Sequence, residues 1–175
     1  MKTKLLILIL MLSLGALKAQ ESNPEYAKKV ATLDSTLETL YGVISGEKGE
    51  ARDWELFKYL FHPRSQLIFS ERDRSGKYVL TYLSPQEYID RSGKWLVENG
   101  FFEVEVSRKE DTFGSITQVF STYASYRSQS DTEPFMRGIN SIQLQNDGDR
   151  WYIVNIYWTS EKETLPIPEQ YLKGN

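Results

Sequence analysis

Apolar residues recur at helical spacing from Tyr26 through Val30, Leu33, Leu37, Leu40, Tyr41 and Ile44, which predicts one long amphipathic helix. Lys28, Lys29, Asp34 and Glu38 fall off that stripe and belong to its solvated side. Ser22 or Asn23 can cap the start, with Pro24 at the first helical position, and Gly46 to Gly49 end it in a loop. Asp53 can cap a second, shorter helix that buries Trp54, Phe57, Leu60 and Phe61 and stops at Pro63. Two short strands follow, Gln66 to Phe69 and Lys77 to Leu83, around a polar turn. Ser84-Pro85-Gln86-Glu87 has the form of a capping box with proline at N1. The third helix that it opens carries Tyr88, Ile89, Trp95 and Leu96 and closes at Asn99-Gly100.

From Phe101 the period changes to two. Phe102, Val104 and Val106 alternate with Glu103, Glu105 and Ser107 in a third strand, and Gly114 turns the chain into a fourth from Ile116 to Arg127. Phe135 to Trp158 then reads as two long strands joined through Asp147-Gly148, a pair that tolerates the positive φ of a tight hairpin. Both of these strands carry bulky groups on both faces, so one face meets helices and the other meets something else, such as a second subunit. The predicted order is α-α-β-β-α-β-β-β-β. It implies an α+β fold in which a strongly bent antiparallel sheet wraps around the N-terminal helices.

Composition narrows the class. The chain has 175 residues, of which 40% are hydrophobic and 13% aromatic, enough for one domain with a real core. Lys2 and Lys4, the apolar run Leu5 to Leu17 and the small Ala19 predict a signal peptide over residues 1–19, too short in its apolar part to span a bilayer. Residues 20–165 then form a single domain and 166–175 an irregular tail, broken by Pro166 and Pro168. The expected location is periplasmic or secreted, with no membrane span once the signal is cleaved. The chain has no cysteine, so neither disulfides nor a lipid-bearing cysteine are available. Loss of Lys2, Lys4 and Lys18 with the signal takes the net charge from −3 to −6, which argues against nucleic acid as a partner.

Several motifs fall in an order that a known superfamily shares. They are His62-Pro63, Gly100-Phe101-Phe102-Glu103, and Phe113-Gly114 through Phe120-Ser121-Thr122-Tyr123. Arg137-Gly138-Ile139-Asn140-Ser141 with Gln143-Leu144, and Asp147-Gly148 through Arg150-Trp151 with Trp158 and Glu161, complete the set. In these motifs and in its order of elements the chain resembles the nuclear transport factor two-like superfamily, and within it the SnoaL-like bacterial proteins. The resemblance implies a cone-shaped α+β barrel with a conical pocket. The superfamily includes isomerases, dehydratases, polyketide cyclases, binding modules and transport factors, so it implies no single activity. Its enzymes place an aspartate, or an aspartate–histidine pair, in the pocket, and no such pair is assignable to this chain.

Candidate site residues follow from chemistry. His62 is the one histidine, which leaves no multi-histidine metal site; it is a candidate general base or, alternatively, a cap on helix-end carbonyls. Arg137 sits in a strand beside Gly138, and either clamps an anionic ligand or pairs with Glu103 or Glu105. Asn140, Ser141, Gln143 and Gln118 supply amides and a hydroxyl that either line a pocket or pair across strands. Tyr59, Tyr123 and Trp158 are candidate aromatic walls, with core packing as the alternative. Glu103 with Glu105 reads as solvated charge on a strand edge. The expectation is a domain that binds a small hydrophobic or carboxylated molecule and forms a homodimer through its sheet. A proton-transfer enzyme of isomerase, dehydratase or cyclase type and a protein-interaction module are the alternatives. No metal and no cofactor are expected.

Overall fold

The predicted first helix is two helices. In the computed structural model, which describes residues 23–173, α1 spans Pro24–Lys29 and α2 spans Leu33–Ile44. The predicted signal segment lies outside the described residues. Thr32 makes the break, because its hydroxyl accepts from the Ser35 backbone N–H while the Ser35 hydroxyl accepts from Thr32 N–H, a capping box that starts a new helix. The carbonyl of Val30 is left free of α-helical bonding and accepts from Trp151 N–H at 2.9 Å, which ties the break to the sheet. Leu37, Leu40, Tyr41 and Ile44 of the predicted stripe are buried on α2.

Asp53 caps α3 (Trp54–Leu60) by accepting from Leu56 N–H at 2.9 Å. The chain then enters β1 (Phe61–Arg72) without a loop, a longer strand than Gln66 to Phe69. His62 is therefore a strand residue. Pro63 disfavours the helical region for the residue before it and brings no N–H of its own. The ladder of β1 shifts register between Phe61 and Gln66, across that proline. After β2 (Tyr78–Leu83) the predicted third helix is continuous but not uniform. It runs from α4 (Pro85–Tyr88) through a π-helical turn (Ile89–Gly93) into α5 (Lys94–Asn99). A Cβ on Gly93 would press on the Trp54 ring at 3.1 Å, so the widened turn runs close against α3.

The remaining strands are β3 (Phe102–Phe113), β4 (Ile116–Tyr126), β5 (Met136–Asn146) and β6 (Trp151–Ser160). With β1 and β2 they make one curved, open sheet in the order β2-β1-β6-β5-β4-β3. Every neighbouring pair is antiparallel except β1 with β6, a parallel pair that the expected all-antiparallel sheet did not contain. The two strands enter the sheet from the same end, and the rest of the meander lies between them in sequence. Gly148, at φ 106, takes the strained position of the β5–β6 turn, and Asp147 accepts from the N–H groups of Asp149 and Arg150.

Val119 and Tyr123 on β4, Ile142 and Leu144 on β5, and Ile153 and Ile156 on β6 are buried on the concave side against the helices. The tail crosses the other side. Thr122 donates to the Tyr171 carbonyl at 2.6 Å, Ser107 donates to that of Lys173 at 2.9 Å, and the Tyr171 ring lies 5.0 Å from that of Phe120. Leu165, Pro166 and Ile167 lie beside Ile139 of β5 and Tyr157 of β6, so the second apolar face of the hairpin is covered in part by the chain itself. The tail is irregular apart from a short 3-10 turn at Glu169–Tyr171.

Candidate functional site

A cavity of about 230 Å³ lies between the concave sheet face and the helices. Leu40 and Ile44 of α2, Phe57 of α3 and Leu67 of β1 give it apolar walls, while Glu103, Tyr88, Tyr123 and Asn140 bring polar groups into it. A few convergent polar groups in an otherwise apolar cavity is the composition expected of a small-molecule site. A larger hollow of about 460 Å³ lies at the β3–β4 hairpin end, but its one charged wall residue, Asp111, is exposed. The chemistry therefore centres on the inner cavity.

Glu103 is held there by its backbone and by its side chain. Its N–H donates to Ser45 Oγ at 3.0 Å, and Ser45 Oγ donates to the Tyr41 carbonyl at 2.7 Å, which fastens β3 to the end of α2. Its carboxyl accepts from Ser125 Oγ at 3.1 Å and shares the cavity wall with the Asn140 amide. Burial raises the Glu103 pKa to about 7, against the pull of the Ser125 and Asn140 donors, which favour the ionised form. Part of the residue's surface stays accessible from the cavity, yet the carboxyl is enclosed by protein, and that enclosure sets its chemistry.

The hydroxyls around it stay protonated. Burial, then the charges of Glu103 and Tyr123, raise the pKa of Tyr88. Burial raises that of Tyr123 to about 12, with the Ser160 hydrogen bond acting the other way and Glu103 adding to the rise. Tyr123 Oη lies 3.2 Å from Ser160 Oγ. A Cβ on Gly138 would collide with the Tyr123 hydroxyl, so the close approach that this glycine permits is that of a tyrosine from the neighbouring strand. Tyr41 is buried behind Asn140, with its hydroxyl 2.6 Å from Ser121 Oγ and 3.2 Å from Asn140 Nδ2.

The predicted candidates divide between the two sides of the sheet. Asn140, Tyr123 and Trp158 meet in the cavity. Ser141, Gln143 and Gln118 lie on the opposite side, where Asn155 donates to Gln143 at 3.4 Å. Arg137 pairs with Glu161 at 2.8 Å, and neither Glu103 nor Glu105 is its partner. The same Glu161 accepts from Ile167 N–H at 3.0 Å, so Arg137 helps to anchor the tail. Tyr59 stacks under the Arg150 guanidinium at 3.9 Å and contacts Tyr26. His62 accepts from Arg64 N–H at 3.2 Å and meets the Tyr152 ring edge-on, away from the cavity walls.

The groups missed by sequence reasoning are Glu103 and Tyr88. Alternation along β3 separates the glutamates from the valines, and the valines are the natural choice for the inside. The structure reverses that choice: Val104 and Val106 are 46% and 43% exposed, while Glu103 faces the cavity. Glu105 shares its face and is paired rather than solvated. One signal in the sequence points this way, the run of Ser121, Ser125 and Asn140 on neighbouring strands, small polar groups able to receive an inward carboxylate. Among the described residues, no group of three or more histidine, cysteine, aspartate or glutamate side chains is placed to hold a metal ion.

No family model matches the chain, and no curated protein does. Solved structures match it in fold. A protein of unknown function with a cystatin-like fold from Nostoc punctiforme aligns with TM-score 0.56 and 10% identity, over 74% of this chain and 89% of that one. An NTF-2 like protein of unknown function from Silicibacter pomeroyi aligns at 0.51 and 15% identity, over 75% and 94%. LinA aligns at 0.53 and 4% identity, over 79% and 86%.

Proposed function

The chain has the nuclear transport factor two-like fold, a curved sheet wrapped around helices, and on that premise we propose that its cavity binds a small, largely apolar molecule on which Glu103 moves a proton. The observation that carries this reading is a carboxyl group enclosed in a mostly apolar cavity, with protonated tyrosines beside it. Half-ionised near neutral pH, Glu103 can take a proton from a weak carbon or oxygen acid and return it elsewhere. The Tyr88 and Tyr123 hydroxyls are the donors available to a developing oxyanion. Isomerisation, dehydration and ring closure are the reaction types that such a proton relay serves. Binding without turnover is the reading that remains if Glu103 only orients a ligand.

Deuterium exchange tests it directly. A small enolisable aryl ketone is incubated with the protein in deuterated buffer and followed by proton NMR. Faster loss of its α-proton signal with the unaltered protein, abolished in Glu103→Gln, is the expected result. No acceleration, together with no chemical-shift change of the Glu103 carboxyl on adding the ketone, would sink the reading.

Export and self-association belong to the same proposal. The predicted signal peptide supports export to the periplasm or beyond, which cell fractionation of the tagged full chain decides. A homodimer through the sheet is supported by the exposed Phe113, Ile116 and Val154, which the tail leaves uncovered. Sedimentation of the mature chain as a monomer at all concentrations removes that part.

A further inference from the structure

Behind the cavity wall a line of hydroxyls connects Asn140 to Glu105, and its direction follows from how many protons each group holds. Glu105 lies two residues beyond Glu103 on β3 and is ion-paired with Arg108 at 3.3 Å; Arg108 also meets Asp34 and Glu110. As a carboxylate opposite a guanidinium, Glu105 only accepts. Ser121 Oγ donates to it at 2.6 Å. A serine hydroxyl has one proton, so Ser121 must accept in its 2.6 Å contact with Tyr41. Tyr41 likewise has one proton and has now given it to Ser121, so its oxygen accepts from Asn140 Nδ2 at 3.2 Å. The bonds all run one way, from Asn140 through Tyr41 and Ser121 to Glu105. Chains of this kind polarise each link in the same sense.

We infer that Glu105 is a positioning residue for the cavity: acting through Ser121 and Tyr41, it holds the Asn140 amide with its nitrogen, not its oxygen, toward Tyr41, on the cavity wall that Asn140 shares with Glu103. An amide has two ends that nearly match in shape, and which one faces Glu103 decides whether the carboxylate or the carboxylic acid is favoured there. With the chain anchored, Glu103 accepts from the Ser125 hydroxyl and has the amide-nitrogen end of Asn140, rather than its oxygen, beside it on the cavity wall. Without the anchor, Tyr41 can turn its proton toward Asn140, and the amide can present its oxygen to a protonated Glu103. The groups that face Glu103 are Tyr41 from α2, Tyr88 from α4, Tyr123 and Ser125 from β4, and Asn140 from β5. All of these are neutral near pH 7. The inference rests on the reading of Glu103 as the proton-handling group, but its test uses neither ligand nor turnover.

The test is the ionisation midpoint of Glu103, read by carbon NMR of protein labelled at glutamate side-chain carboxyls. It compares the unaltered mature chain with Ser121→Ala and Glu105→Leu. Both variants release the Asn140 amide, so both are expected to raise the midpoint by about one pH unit, the scale of one lost hydrogen bond to a charged group. Combining the two substitutions adds nothing further. A simple through-space effect has the opposite sign, since removing the Glu105 charge lowers the midpoint of a neighbouring acid. A midpoint that falls or stays in Glu105→Leu overturns the inference.

The unaltered protein supplies a second readout that does not depend on a variant folding. The Asn140 side-chain nitrogen and its protons must shift with the Glu103 midpoint if they donate to it, and an unresponsive amide overturns the inference equally. If Glu103 itself titrates in the ordinary carboxylate range, the proposed proton-transfer function falls instead. If it titrates near 7 and moves in neither variant, only the role of Glu105 is lost.

Discussion

Replacing Glu103 with glutamine should stabilise the protein at neutral and alkaline pH, and the size of the effect can be worked from the carboxyl's surroundings. Burial moves its pKa from the ordinary carboxyl value of 4.5 to about 7 in the folded chain. The folded state therefore holds a proton that the unfolded state has lost over that interval, so stability falls as pH rises through it. The full contribution is present below about pH 4.5 and is gone above about pH 7. A shift of that size corresponds to about 3 kcal/mol at 1.36 kcal/mol per unit, an order-of-magnitude figure. Glutamine has nearly the same shape and no charge, so it removes this slope. The Ser125 and Asn140 donors already act within that shift, so the gain at pH 8 is the whole of it, about 3 kcal/mol. Urea unfolding of both proteins from pH 4 to 8 measures the difference. The two curves should converge near pH 4 and separate steadily above pH 5, with the variant more stable. Curves that stay parallel, or a native protein that gains stability from pH 5 to 7 relative to the variant, would show that Glu103 is not the desolvated acid described here.

Three further substitutions probe the surroundings. Gly138→Ala places a methyl group where the Tyr123 hydroxyl and the Thr159 carbonyl already sit; the expected cost is about 1–3 kcal/mol in thermal unfolding, with loss of the Tyr123 position in the cavity. Arg137→Ala should leave ligand binding unchanged, because the guanidinium is half-exposed and paired with Glu161 at 2.8 Å. Its stability cost should stay below about 1 kcal/mol, and its readout is faster amide exchange at Ile167 in the tail. Thr32→Ala removes the hydroxyl that opens α2 and should cost about 1 kcal/mol in chemical unfolding, whereas an unaffected midpoint would mean that the sheet alone sets the helix break.

The elements legible in the chain are those written in local chemistry. Asp53 and the Ser84 capping box start helices where their spacing says they should, and Asp147-Gly148 turns the hairpin between β5 and β6. Caps and tight turns involve bonds across two to four residues, so a short stretch is enough to specify them. Even the missed break at Thr32 is of this kind, since Ser35 in place of glutamate completes the capping box. The candidate site was legible only in part. Asn140, Tyr123 and Trp158 could be named as pocket chemistry, but an alternating strand looks the same whichever face is turned inward.

Tertiary packing decided the rest. Glu103 faces the helices and Val104 faces outward because β3 is fastened at the end of α2 through Ser45, a contact 58 residues away in the chain. Arg137 found its partner in Glu161, 24 residues on, and the tail that Glu161 holds covers a face otherwise free for a second subunit. The parallel pairing of β1 with β6 likewise joins the first strand to the last. A pattern of period two specifies that a strand has two unlike faces. Which face meets the core, and which charge is drawn into it, depends on what the assembled chain brings to the other side.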